Sequence, residues 1–197
     1  MTGDPLRLAL LRPEGLTPQQ RVLYDAIVAS RGPGIVAGDG SLRGPFNAML
    51  HHPLLGAPLQ ETGAVLRYRG LLPPAARELA ILTVAAAFGA EFEWHAHSLL
   101  AAGLGVPPEP IEAIRRGELP VLADDVEQAV VEVTRAVLAR SELEEESYVR
   151  AARLIGEPGL VELTTLVGYY GTLAMQMRLF GVPLPPGATP IFGPGNV

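Results

Sequence analysis

Apolar positions along this chain recur with a helical period almost throughout, and proline and glycine mark where each run stops. Thr17-Pro18-Gln19-Gln20 opens the first run: Thr17 can cap, Pro18 suits a first turn and Gln20 completes a capping box. Val22, Leu23, Ala26 and Ile27 then form a stripe that ends at Gly32-Pro33. The stretch from Gly34 to Pro45 is a glycine-rich loop carrying Asp39. A short helix over Phe46 to Leu50 follows, then a longer one from about Pro53 to Tyr68, closed by Gly70.

Pro73-Pro74 starts the next helix, which runs to Phe88. Gly89 interrupts it, and Glu91 to Ala102 resumes the helical period until Gly103. A short helix follows Pro110 and stops at Gly117. Asp124 to Arg140 is strongly amphipathic, with Val126, Val130, Val133 and Val137 on one face and Glu127, Gln128 and Glu132 on the other. Ser141 with Glu144 makes a second capping box, for a helix ending at Gly156. The last helix runs from Pro158 to Phe180, where Gly168 and Gly171 permit close helix approach or an open pocket. No alternating strand pattern of useful length appears. The expectation is an all-α single domain over residues 1–197, with about eight to nine helices. Residues 1–40 form an N-terminal extension, and the Pro/Gly-rich tail 182–197 lies on a surface or on a neighbouring subunit.

Two uncharged apolar runs, Leu79 to Ala90 and Leu163 to Met177, fall short of the ~20 residues that span a bilayer. They read as buried core helices. A helix that is apolar all round needs cover on every side, and a second one in a chain of this size predicts a homo-oligomer. The N-terminus, with Asp4 and Arg7, has no apolar core long enough for a signal peptide, so the expected location is the cytoplasm. A formal charge of −6 with dispersed arginines argues against a nucleic-acid partner.

Composition then narrows the chemistry. There is no cysteine, and all 15 basic residues are arginine. Disulfides, thiolate nucleophiles, cysteine metal ligands and lysine Schiff bases are therefore excluded. Glu, His, Asp, Arg, Tyr and hydroxyls remain.

The candidate chemistry concentrates between positions 78 and 97. Glu78 heads the apolar run Leu79 to Phe88, where desolvation would raise a carboxyl pKa. Its position beside Arg77 also fits a turn at the solvent end of the helix, and spacing alone favours that reading. Glu93 and His97 are four apart, so one can orient the other and raise its basicity, as a general base needs; an ordinary surface pair is the alternative. Phe92, Trp94, Leu99 and Leu100 weaken that alternative by marking the helix as buried. Glu91 and His95 form a second i,i+4 pair on the other face. Because His95 lies about 200° around the helix from His97, the two cannot share a metal ion. Only His51 and His52 could add ligands, and paired histidines before a proline fit a helix end. No metal and no cofactor is expected. Tyr169-Tyr170 sits mid-helix in an apolar run, where a buried hydroxyl needs a partner and could line a cavity. Arg178 can hold a substrate carboxylate, or simply complement the helix C-terminus.

Arg77-Glu78-Leu79-Ala80-Ile81-Leu82 followed by Gly89-Ala90-Glu91-Phe92-Glu93-Trp94-His95-Ala96-His97 resembles the carboxymuconolactone decarboxylase family. That family shares its fold with the alkyl hydroperoxidase D-type proteins. Gly44-Pro45-Phe46 with Leu50-His51-His52-Pro53, and Val167-Gly168-Tyr169-Tyr170 with Phe180-Gly181-Val182-Pro183, resemble flanking patterns of its longer members, so the likeness covers roughly residues 40 to 187. It implies an all-helical fold assembling as dimers to hexamers, with sites near subunit interfaces. In the peroxidase branch a glutamate, a Cys-x-x-Cys pair and a histidine form a proton relay and redox dithiol. The glutamate corresponds to Glu78 and the histidine to His97, but Ala90 and Glu93 stand at the cysteine positions. Thiol peroxidase chemistry is thereby ruled out.

What the resemblance leaves is the decarboxylase branch: a cofactor-independent decarboxylase, or a related lyase or isomerase, acting on a small cyclic carboxylate or lactone. Glu78, Glu93 and His97 are the candidate catalytic residues. Trp94, Tyr169, Tyr170, Arg67 and Arg178 are candidates for substrate binding, and Arg69 and Arg77 are further arginines able to hold an anion. Ala90 and Arg178 depart from the Cys and small polar residue common in long members. The alternative is a non-catalytic small-molecule-binding or scaffold member of the fold. A metal-dependent hydrolase would require His51 or His52 to approach His97.

Overall fold

The computed structural model describes residues 7–140 and 143–193. Its described residues fold into helices joined by short turns, with one isolated bridge between Val36 and Leu42. The helices are α1 (Pro18–Arg31), α2 (Phe46–His51), α3 (Pro53–Tyr68), α4 (Pro74–Phe88), α5 (Glu91–Gly103), α6 (Pro108–Arg115), α7 (Asp125–Ala139) and α8 (Glu145–Phe180). The all-α expectation holds, and most boundaries fall within two residues of the proline and glycine signals. Gly156, at φ 71 and ψ 165, breaks α8 internally where two separate helices were expected. Ser141, the expected cap, lies outside the described residues. No described helix is long and apolar enough to cross a membrane.

The chain forms two compact units, Met1–Arg69 with Gln176–Pro183, and Gly70–Met175 with Leu184–Val197. In the first, the Thr17 hydroxyl accepts from the Gln20 N–H at 3.3 Å while the Gln20 side chain accepts from the Thr17 N–H at 2.9 Å, closing the capping box. Buried Asn47 accepts from Leu11 N–H and donates to Ala9 C=O, tying the N-terminal extension to α2. His52 caps α3 by accepting from Leu55 N–H, and His51 bonds the Ala9 carbonyl at 2.9 Å. These two histidines serve helix ends. The Arg31 guanidinium lies 5.5 Å from the ring centres of both Phe46 and Tyr68, a cation between two π faces.

The second unit is built around α4. Every residue from Glu78 to Ala85 is buried, as the all-round apolar pattern requires. Leu79, Leu82 and Ala85 join Ala90, Trp94, Ala101, Ile114, Val131 and Ala174 in one core. Each large apolar side chain so enclosed contributes about 1.5–3 kcal/mol. Asp124 caps α7 by accepting from Val126 and Glu127 N–H. At Gly171 a Cβ would make an ordinary 3.4 Å contact with the Phe88 ring, and Gly168 faces open space. The second apolar run is covered less completely: Met175 is 54% exposed, and Val161 and Leu179 beside the run are also exposed.

The junction between α4 and α5 fixes the site geometry. Gly89 adopts φ 56, and the N–H groups of Ala90 and Gly89 return to the carbonyls of Ala85 and Ala86 at 2.8 and 3.1 Å. This is a Schellman closure that only a residue at ease in the left-handed region closes without strain. It reverses the chain so that α5 packs back along α4.

The tightest backbone approach lies at the α2–α3 corner. A Cβ on Gly56 would meet the Met49 carbonyl oxygen at 2.2 Å and Leu23 Cδ2 at 2.9 Å. Gly56→Ala is expected to lower unfolding free energy by about 2 kcal/mol or more, despite alanine's better helix propensity. Urea denaturation of the two proteins measures this, and an unchanged or raised midpoint would contradict the contact.

Candidate functional site

Glu78 lies in the second turn of α4 and His97 in the second turn of α5, 11 residues before and 8 after Gly89. The turn brings them together: His97 Nδ1 lies 2.6 Å from Glu78 Oε2, with the two residues 7% and 2% exposed. A carboxylate opposite Nδ1 places the ring proton there and leaves Nε2 with its lone pair. Arg77 Nε sits 3.6 Å from the other Glu78 oxygen, so an arginine, a carboxylate and an imidazole form a chain. The Tyr170 ring meets His97 edge-on at 5.2 Å, and Tyr169 meets Tyr170 in the same manner.

Two sequence expectations are corrected here. Glu78 is not at the solvent end of its helix. Its direction from the axis carries it into the core, where a charge needs a partner. Nor do Glu93 and His97 form the expected hydrogen bond. His97 uses its Nδ1 on Glu78, and neither carboxyl oxygen of Glu93 has a hydrogen-bond partner. Glu93 is 3% exposed, and burial holds its pKa well above the usual carboxyl value. The physical consequence is a neutral carboxylic acid, a donor waiting for an acceptor, one helical turn from the imidazole.

Glu91 likewise does not pair with His95. Its carboxylate accepts from the backbone N–H groups of Ile191 and Phe192, at 2.7 to 3.0 Å. The Phe192 ring meets Trp94 edge-on at 5.3 Å. The tail, expected on a surface or a neighbouring subunit, thus folds back on its own α5 and helps enclose Trp94, which is 3% exposed. Phe192 and Glu91 were missed from sequence. The one signal for them was the apolar pair Ile191-Phe192 in an otherwise Pro/Gly-rich segment.

Glu78, His97, Trp94, Glu93, Tyr169 and Tyr170 all belong to the second compact unit, whereas Arg67 and Arg178 belong to the first. The Arg67 guanidinium lies 5.8 Å from the Tyr68 ring. A groove of about 300 Å³ in the second unit is lined by residues including Thr83, Ile114, Arg135 and Leu138, and none of the three candidate catalytic residues lines it. Among the described residues, no three His, Asp or Glu side chains come together as a metal site would require.

Glu78 lies on one of two packed helices, Glu93 and His97 lie on the other, and Ala90 precedes the second. Residues 53–136 match the profile of the carboxymuconolactone decarboxylase family. Among solved structures, the debrominase Bmp8, as a cysteine-to-alanine variant in complex with 2,3,4-tribromopyrrole, aligns with TM-score 0.68 at 16% identity, covering 93% of this chain and 94% of that one. An alkylhydroperoxidase AhpD core, an uncharacterized peroxidase-related protein from Ralstonia eutropha JMP134, aligns with TM-score 0.73 at 14% identity over 93% and 95% of the two chains. A peroxidase-related protein from Silicibacter sp. TM1040 aligns with TM-score 0.68 at 12% identity over 91% and 92%. These likenesses establish a shared alkyl hydroperoxidase D-like fold. No curated protein matches the sequence. The chain has no cysteine, so neither position 90 nor position 93 carries a thiol.

The buried acid makes a stability prediction with a definite sign. Glu93 keeps its proton in the folded state at pH values where an unfolded glutamate has lost it, so folding takes up a proton. Its contribution is fully present below the ordinary glutamate pKa and declines as pH rises toward the folded value. The stability of the wild type relative to Glu93→Gln should therefore fall with rising pH, by up to about 1.4 kcal/mol per unit. Denaturant unfolding of both proteins across about pH 5 to 8 tests this, and a constant difference would show that Glu93 holds no extra proton.

Proposed function

We propose that this chain is a cofactor-independent acid/base enzyme, a decarboxylase or related lyase or isomerase, acting on a small cyclic carboxylate or lactone. The observation that carries the reading is the 2.6 Å Glu78–His97 bond in a water-poor site, one helical turn from a neutral carboxyl group. Base and acid are thereby present together at one pH, which proton-transfer catalysis needs. The match of residues 53–136 to the family profile and the ring-shaped ligand of the similarly folded debrominase support a small-molecule site.

In the decarboxylating case, the bond between ring carbon and carboxylate breaks, CO2 leaves, and its electron pair enters the conjugated carbonyl as a dienolate. Glu93 then gives its proton to carbon, and a solvent proton replaces it. Net, one carboxylate and one proton become one C–H bond and CO2. In the isomerising case, His97 Nε2 removes a proton next to the carbonyl and Glu93 returns one elsewhere. In this second case Glu78 stabilises the cationic ring, whose proton then passes through solvent back to the Glu93 carboxylate; in the first it holds the neutral ring in place. Trp94, Tyr169 and Tyr170 supply apolar walls. Exposed Met175, Val161 and Leu179 support a homo-oligomer in which a second copy covers α8.

A non-catalytic binding protein is the second reading. The near-complete enclosure of Glu93 and His97 favours it. Incubating the protein with a panel of small cyclic carboxylates and lactones in deuterated water separates the two. Turnover with solvent deuterium incorporated at carbon is expected, reduced by about 10²–10⁴ in His97→Ala at a temperature where circular dichroism shows that variant still folded. Full activity in that variant would remove His97 from the mechanism.

A further inference from the structure

Arg77 occupies the fourth position of α4, its side chain only 14% exposed. Its Nε is enclosed and has no hydrogen-bond partner. Its one ion pair, with Glu78 Oε1, is 3.6 Å long, beyond hydrogen-bonding distance, and the other oxygen of that carboxylate is committed to His97. Neighbouring arginines of the same unit are satisfied otherwise. Arg115 and Arg116 are held by Glu112 and Glu118, Arg135 by the carbonyls of Gly117 and Glu118, and Arg150 by Glu132.

An enclosed Nε–H without a hydrogen bond is costly to keep, because that donor has left water and gained nothing equivalent. Glu93 adds to the same imbalance, since both its oxygens are enclosed and unbonded. The demand is for acceptor oxygens: the enclosed Nε–H on Arg77 and one O–H on Glu93. A carboxylate offers about four lone-pair positions and matches the guanidinium fork in plane and spacing. A neutral amide of the same shape offers half the acceptors and no charge.

We infer that Arg77 is the group that receives the anionic oxygens of the ligand, so that the site selects carboxylates over neutral molecules of equal shape. The inference rests on the acid/base reading of Glu78 and His97 and adds the residue that orients the substrate beside them. Among the four arginines that the sequence offers for an anion, Arg67, Arg69, Arg77 and Arg178, it assigns that part to Arg77. A carboxylate held there lies against the Glu78–His97 chain, where the bond to be broken or the proton to be moved must lie.

The chain has a single tryptophan, Trp94, adjacent to Glu93, so its fluorescence reports binding. Benzoate and benzamide serve as probes of equal shape and different charge. The wild type should bind benzoate at least about tenfold more tightly than benzamide, Arg77→Gln should lose that preference with benzamide affinity unchanged, and Arg77→Lys should restore part of it. Circular dichroism and melting confirm that each variant is folded, and Arg77→Lys stands in if Arg77→Gln is not. A wild type that binds benzoate no better than benzamide, or not at all, overturns the inference. So does an Arg77→Gln protein that keeps the preference. Loss of turnover in His97→Ala alongside an unchanged benzoate preference in Arg77→Gln would retain the acid/base reading and discard this one. The converse pair of results would do the opposite.

Discussion

A carboxylate placed among eight successive buried positions must find a proton donor or remain uncharged, and Glu78 finds His97. Much of the second unit follows from that requirement. Arg77 of the same helix stands at 3.6 Å, beyond hydrogen-bonding distance, and the hydrogen-bonded partner comes from another helix. The left-handed turn at Gly89 folds α5 back so that it does. Once His97 is committed to Glu78, Glu93 has no imidazole to share its proton with and stays a neutral acid. Removing one partner would leave the other buried and uncompensated, a change usually costing several kcal/mol.

The same commitment arranges reactivity. An imidazole with its Nδ1 proton held by a carboxylate presents one basic nitrogen in one direction, and a nearby acid that has kept its proton presents the complementary function. Neither group would behave so in water. Their properties come from enclosure, which Trp94, Phe192 and the tyrosines supply.

The helices were legible in the sequence because proline, glycine and capping residues act locally, over a turn or less. Thr17 with Gln20, Asp124 ahead of α7 and Gly89 after α4 each behave as their chemistry dictates wherever the chain goes. Glu78, Glu93 and His97 are all buried in the second unit, but how they pair was not legible. Spacing within one helix shows that Glu93 and His97 can touch, but it carries no information about competitors on a neighbouring helix. Glu78, nineteen residues away in sequence, outcompetes Glu93 for the ring. Arg77 and Glu78 look like an exposed pair for the same reason, since depth within the fold is a property of packing. Glu91 seemed paired with His95 until the returning tail supplied stronger donors.

The grip on that tail has an effect on how freely it can vary. Glu91 holds the main chain, accepting from the amides of Ile191 and Phe192, and a carboxylate that binds amides is indifferent to what side chains those amides carry. Position 191 can therefore change from one amino acid to another without loosening the anchor, and position 192 is restricted only by the ring it presents to Trp94. The imino acid is the exception at both places, for it has no hydrogen to give. A segment that reads as low-information Pro/Gly sequence is thus constrained by where proline is absent.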